Sequence, residues 1–403
     1  MANNFKIMVL FSIILGSSIS SSGQIFENLG KKIERKVKQR IERKTDQTID
    51  KGLDKVEEST NGKVNNNQNF ASSSKYDFVP GEKILFYDDF GVDAIGDFPA
   101  KWNTNGSGEI VTINGLNGRW LKIPDNTLSF PEFRSSLPEN FSIEFDLYYP
   151  SGVTRPPITF GFTEVKNPAK ESIKHKKVFY FRIPPSVDNN IGYSTSLYSG
   201  RETTQAWPAN KIAGKVIHVS MAINKQRIRL YMNENKLFDL PKAFEPLSLL
   251  NNFHFRAAEL IPKPKEGFYV SNVRIAEAGL DARSQLLKNG KYSTTGIYFN
   301  SGSAVIKPES YGILKEIGDV LKENPAMKID IIGHTDNDGG DALNRKLSAQ
   351  RAEAVAIYLS KSSGIDNKRI KTEGKGTSQP IGNNETSEGK AQNRRVEFIR
   401  TNK

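Results

Sequence analysis

Between Tyr76 and Gly279 the apolar residues come in short alternating runs, among them "ENFSIEFDLYY", "KVFYFRI", "VIHVSMAI", "RIRLYM" and "FYVSNVRI", separated by clusters of Asn, Gly and Pro. Alternation at period two puts every second side chain on one face of an extended chain, so each run predicts a strand with a buried face. In "VIHVSMAINKQRIRLYMNENKLFDL" the two apolar series meet across a short polar turn, as an antiparallel hairpin requires. Many such strands and no convincing helix predict an all-β sandwich of jelly-roll type over residues 76–280. A transmembrane barrel also alternates, but it needs regular strands of about ten residues with aromatic girdles. The runs here are shorter and unevenly spaced.

At 403 residues the chain has room for two or three buried cores. It opens on "MANNFKIMVLFSIILGSSISSSGQ", a lysine followed by an apolar stretch and then small residues, which is the layout of a secretory signal peptide. Residues 1–23 are therefore expected to be removed on export, the alternative being an uncleaved anchor; the apolar stretch is too short to span a bilayer as a mature helix. Residues 24–58 repeat Leu29, Ile33, Val37 and Ile41 every fourth position and carry eight basic against two acidic residues from Lys31 to Lys44. That is a basic amphipathic helix, suited to an anionic membrane surface, to a partner helix, or to service as a solvated spacer. Residues 59–75 lose all periodicity and fill with Asn and Ser, the composition of a flexible linker.

From Thr294 the period changes again. "TTGIYFNSGS" and "MKIDIIGHT" read as strands, "KPESYGILKEIGDVLKENP" and the segment from Asp341 to about Ser360 as helices, and "RIKTEGKG" and "RRVEFIRT" as two further strands. The order βαβαββ predicts an α/β sandwich over residues 281–403, with helices on one face of a small sheet. On a helical wheel the second helix groups Leu343, Leu347, Ala354 and Tyr358 in one arc and Val355 and Leu359 further round, with Asn344 and Arg351 stacked between the two groups. A guanidinium on the apolar side is costly to desolvate unless a carboxylate meets it. Asp336, in the loop after the second strand, is the candidate partner, either as an internal ion pair or as the second half of a ligand site.

The strings "IYFNSGSAVIKPES", "IDIIGHTDNDGGDALNRKLSAQRAEAVAIYL", "GKG" and "QPIGNNETSEGKAQNRRVEF" closely resemble the C-terminal peptidoglycan-binding domain of the OmpA family, from about Thr294 to Arg400. The resemblance implies that Asp336 accepts the ammonium, and Arg351 the carboxylate, of a diaminopimelate side chain in the peptide stem, with Thr335, Asn344 and Arg394 as supporting contacts. It implies an exported, non-enzymatic protein of a Gram-negative envelope, in the periplasm or at the outer membrane, tethering that membrane or a periplasmic assembly to the wall. Upstream, "FYDDFGVDAIGDFPAKWNTNGSGEIVTINGLNGRWLKI", "FSIEFDLYYP" and "FYVSNVRIAEAG" resemble a concanavalin A-like or laminin-G-like sandwich. That likeness implies a possible glycan or outer-membrane partner, with Trp102, Trp120 and Trp207 as stacking surfaces if they are not core residues.

Charge and chemistry narrow the alternatives. A net charge of +12 favours polyanions, and export makes nucleic acid an unsuitable partner. The chain has no cysteine, so disulfides, zinc thiolates, thiol nucleophiles and an acylated N-terminal cysteine are all excluded. His175, His218, His254 and His334 are scattered without metal-ligand spacing, no nucleophile elbow or phosphate loop is present, and Asp88 and Asp89 alone make a poor calcium site. No metal, cofactor or catalytic residue is expected. The competing reading is a carbohydrate-binding or glycan-hydrolysing sandwich anchored on the wall by its C-terminal module.

Overall fold

The computed structural model describes residues 76–132, 137–151, 157–173, 176–184, 190–197, 203–208, 212–243, 252–258, 267–279 and 281–402. The expected signal peptide, basic helix and linker, and His175, lie outside these residues. Among the described residues an eight-stranded sheet runs in the order Asn235–Leu240, Arg227–Met232, Ile217–Asn224, Asn140–Tyr148, Phe268–Glu277, Trp120–Ile123, Glu109–Val111, with Lys83–Asp88 also paired to Phe268–Glu277. A seven-stranded sheet runs Thr203–Ala206, Asn190–Thr195, Val178–Ile183, Ile158–Thr163, Asn252–Ala257, Thr127–Pro131, Trp102–Thr104. The hairpin expected at Asn224 is present, with Asn224 opposite Arg227 and Lys225 in the left-handed region at φ 52°.

The two sheets share one apolar core. Phe141, Ile143, Phe145 and Leu147, every second residue of one strand, enter it from the larger sheet. Phe145 meets Phe160 and Phe255 of the other sheet edge-on, with ring centroids 5.2 and 4.8 Å apart. Trp102, Trp120 and Trp207 are all buried. Their faces are therefore not offered to a sugar, and all three are core residues. Asp88, one of the paired acids, is also buried and accepts hydrogen bonds from the Trp102 indole (3.0 Å) and the Phe90 amide (3.0 Å).

The C-terminal sheet orders Lys291–Thr294, Val396–Arg400, Ile329–His334, Ile370–Gly376, with only the last pair parallel. Helices α1 (Tyr311–Glu323) and α2 (Asp341–Ser363) supply Ile313, Leu314, Ile317, Val355 and Leu359 to its core. Gly364, at φ 67°, ends α2 with its amide on the Leu359 carbonyl. The segment "TTGIYFNSGS" differs from expectation. The edge strand is Lys291–Thr294, and only an isolated bridge between Phe299 and Ile306 follows it. Among the described residues three helical pieces were not anticipated: a turn over residues 282–289, a single 3-10 turn at Asn367–Arg369 and α3 (Ser387–Asn393).

Helix α2 is also not the helix that the wheel implied. Leu343 is 71% exposed, and the buried line is Asn344, Ser348, Ala352, Val355, Leu359 and Ser363. Small residues lead this line because backbones touch beneath it. A Cβ on Gly333 would lie 2.2 Å from the Ser348 carbonyl oxygen, and one on Gly374 would lie 2.3 Å from the Ala349 nitrogen. The Ser348 hydroxyl accepts from the Gly376 amide at 2.9 Å, tying helix to strand. Gly333→Ala is therefore expected to cost about 1–3 kcal/mol through overpacking, read as a lowered thermal midpoint by circular dichroism.

The two parts pack against each other. On the strand Asn140–Tyr148, Ser142 and Glu144 alternate with the core residues yet are buried too. Ser142 accepts from the Gly81 amide at 2.8 Å, and the C-terminal segment covers Glu144: the Tyr298 hydroxyl donates to Glu144 Oε2 at 2.9 Å, and Arg274 Nη2 donates to Thr295 Oγ1 at 2.9 Å. No helix among the described residues is long and apolar enough to cross a membrane.

Candidate functional site

The strand Ile329–His334 delivers Thr335 and Asp336 to the end of the sheet, where the Thr335 amide donates to the Gly376 carbonyl at 3.1 Å. Beyond it the chain turns back on itself. The Asp338 amide donates to Asp336 Oδ1 at 3.2 Å, Gly339 takes φ 87°, and the Asn344 side chain donates to the Asp338 carbonyl at 2.9 Å. Asn344 is thus a brace that fixes the loop to the first turn of α2. Thr335 Oγ1 is buried and has no hydrogen-bond partner among the described residues.

Asp336 is buried, and its partner is Arg394, whose Nη1 lies 2.6 Å from Oδ2. This corrects the internal alternative, in which Arg351 would close on Asp336. Arg394 is carried on the end of α3, which Thr386 caps by accepting from the Gly389 amide at 3.0 Å. Asn393, fully buried, then staples the preceding loop: its side chain accepts from the Ile381 and Gly382 amides and donates to the Gly382 carbonyl and to Asn384. Lys390, one turn earlier, reaches Asp338 at 2.7 Å. Sequence reasoning missed both residues. Asn393 was legible only as the first letter of "NRRVE".

Arg351 is half-buried. Its Nε donates to the Ser303 carbonyl at 3.0 Å, and its guanidinium carbon sits 5.0 Å from the Phe299 ring centroid. Burial pushes its pKa down to about 10, the Arg394 charge adds to this, and the Asp336 charge opposes it. It remains a cation at neutral pH. Among the described residues no carboxylate is in ion-pair contact with it. The segment "FNSGS" therefore shapes the site, through a ring face and a backbone carbonyl.

His334 adjoins this loop in sequence but not in role. It is buried, with Nε2 3.7 Å from Glu397 Oε1, and burial together with the Arg395 cation pushes its pKa down to about 4. Four of the five expected residues, Thr335, Asp336, Asn344 and Arg394, thus share one loop cluster. Arg351 stands beside them with its terminal nitrogens uncommitted to any acid.

Residues 298–394 match the OmpA family, and the chain carries an OmpA family domain there. Among its relatives, the probable lipoprotein YiaD of Escherichia coli (strain K12) is 48% identical over 102 residues, covering 25% of this chain and 46% of the relative. The peptidoglycan-binding protein ArfA of Mycobacterium tuberculosis is 44% identical over 103 residues, covering 26% of this chain and 31% of the relative. The cell wall anchor of the T6SS from Pseudomonas aeruginosa, a solved structure, is 33% identical with a TM-score of 0.26, covering 28% of this chain and 81% of that one. The chain thus spans less than half of each of the two curated relatives.

Proposed function

We propose that this protein is an exported, non-enzymatic envelope component that binds peptidoglycan through the Asp336, Arg351 and Arg394 cluster and so holds the outer membrane or a periplasmic assembly to the wall. The observation that carries the reading is the uncommitted guanidinium of Arg351 beside a carboxylate. The Nε of Arg351 is spent on a backbone carbonyl, leaving its terminal nitrogens for an incoming acid. Asp336 receives one hydrogen bond on each oxygen and keeps lone pairs for a donor. Such a pair suits a ligand end bearing both an ammonium and a carboxylate, as the diaminopimelate side chain of a stem peptide does. The names of the relatives support the class of ligand; the stem residue is our own inference. In this reading Asn344 braces the loop, and Thr335 offers a free hydroxyl.

Each charged hydrogen bond contributes roughly 1.5–3 kcal/mol. Repetition of the stem along the polymer turns a weak single site into a firm hold. Co-sedimentation of the full chain with purified sacculi tests the proposal. Asp336→Ala and Arg351→Ala are each expected to weaken binding roughly 10- to 100-fold. Sedimentation of both variants at the wild-type level would refute the site.

Residues 76–280 are proposed to form a concanavalin A-like jelly roll, and 281–403 the wall-binding module. A second reading, glycan binding by the sandwich, is favoured by a cavity of about 320 Å³ lined by Asn105, Asn126, Lys170 and Arg256. Burial lowers the pKa of Arg256 there, and no acid meets its side chain in an ion pair among the described residues. Saturable binding of a soluble glycan, abolished by Arg256→Ala, would support it.

A further inference from the structure

Arg394 is held from two sides. Asp336 meets its Nη1, and on the other side its guanidinium carbon lies 5.4 Å from the ring centroid of Tyr87. Tyr87 belongs to the strand Lys83–Asp88 of the two-sheet part, far outside residues 298–394. Its position is itself fixed. The Tyr87 hydroxyl donates to Asn272 Oδ1 at 3.4 Å, Asn272 Nδ2 donates to Asp146 Oδ2 at 2.7 Å, and Asp146 Oδ1 lies 2.8 Å from His218 Nδ1.

Asn272 reaches both partners because the strand is bulged there. Its register with Asn140–Tyr148 shifts between Ser271 and Arg274, and Asn272 takes φ 52°. Asparagine is among the few side-chain-bearing residues that accept this conformation, and a bulge re-aims the side chain it carries. A second strut lies close by. Lys101 donates to both oxygens of Glu388, at 2.8 and 2.9 Å, on the short helix that ends at Arg394, and its Nζ also reaches the Tyr87 carbonyl at 3.4 Å. The two-sheet part thus touches the helix and the guanidinium that confine Asp336.

We propose that the two-sheet domain is a built-in part of the ligand site: Tyr87, through its ring face, is a positioning residue that holds the Arg394 guanidinium on Asp336. This rests on the reading of Asp336, Arg351 and Arg394 as the wall-binding cluster. An aromatic face attracts a guanidinium and favours a planar arrangement over it, which narrows where Arg394 can sit. The OmpA family segment alone therefore lacks one wall of its own site.

The test uses the full chain and purified diaminopimelate-containing sacculi. Tyr87→Phe, which keeps the ring, is expected to bind within about twofold of wild type, whereas Tyr87→Leu, which keeps bulk without the ring face, weakens binding about fivefold. In an Arg394→Ala background Tyr87→Leu is expected to change nothing further. Wild-type affinity in Tyr87→Leu, or a full additional loss on top of Arg394→Ala, would overturn the proposal. Urea unfolding of wild type, Tyr87→Leu, Arg394→Ala and the double variant needs no ligand. Tyr87→Leu and Arg394→Ala are expected to shift the midpoint non-additively, and strict additivity there also overturns the proposal. If wild type fails to bind sacculi while the midpoints couple, the function reading falls and the positioning contact stands.

Discussion

Replacing Arg274 with alanine is expected to lower the free energy of unfolding by about 3–5 kcal/mol in urea titrations, among the largest effects any single change here should have. Arg274 is 4% exposed and pairs with Glu144, 1% exposed, at 2.7 Å. It also donates to the Gly81 carbonyl at 2.5 Å and to Thr295 at 2.9 Å, bridging the two parts of the molecule. Its removal leaves Glu144 as a buried carboxylate with the Tyr298 hydroxyl at 2.9 Å and His218 Nε2 at 3.6 Å. An uncompensated buried charge is what makes a one-sided deletion expensive, whereas replacing both partners by uncharged residues of similar shape is often nearly neutral. The double variant Arg274→Met, Glu144→Gln should therefore recover most of the loss. If it is as unstable as Arg274→Ala, the effect comes from packing and not from an orphaned charge.

The histidine contribution to stability is expected to peak at about pH 6 to 7, because three histidines pull in opposite directions on either side of the ordinary histidine pKa, while Glu82 and Asp88, pushed up by burial to about 7 and about 6, oppose the decline on the acid side. Burial pushes His254 down to about 3, with the Arg256 charge adding to the effect, and its ring nitrogens have no side-chain partner. His334 falls to about 4. Below pH 6.5 the unfolded chain binds protons at these two positions that the folded chain refuses, so their contribution declines as pH falls through that window, by about 1.4 kcal/mol per unit for each histidine. His218 behaves oppositely. Burial opposes its charge, but hydrogen bonding to Asp146 and the neighbouring Glu144 more than offset this and raise its pKa to about 10. Its contribution is complete below pH 6.5 and drains away as pH rises towards 10. Urea midpoints measured from pH 4 to 9 check the shape. His254→Phe should raise the acid limb relative to the alkaline limb, and a variant that leaves both limbs as in wild type would contradict the assignment.

Much of the site was legible because its residues sit close together in sequence or in recognisable strings. Thr335, Asp336 and Asn344 are joined by one loop, and the turn that joins them is local. Arg394 was identified by resemblance, but its direct grip on Asp336 was not foreseen. Ion pairing depends on where a side chain lies in space, and an arginine reaches several ångströms in any direction. Leu343 was misread for a different reason. Counting apolar residues on a wheel rewards bulk, while the N-terminal half of α2 approaches its sheet so closely that Asn344, Ser348 and Ala352, not Leu343, occupy the buried line there.

The sequence by itself determined the type of most elements, since alternation, helical spacing and turn residues act over a few positions and leave the chain little choice: "NFSIEFDLY" is a strand wherever it packs. Only the tertiary structure decided which side of that strand is surface. Glu144 alternates as a solvent-facing residue would, yet it lies under the C-terminal segment between Arg274 and Tyr298, and Asp146, two positions on, is bonded to His218 and Asn272. The same holds for Tyr87 and Arg394, whose contact joins opposite ends of the described chain. Periodicity records a residue's neighbours along the backbone; the partner that neutralises a buried charge is chosen by folding.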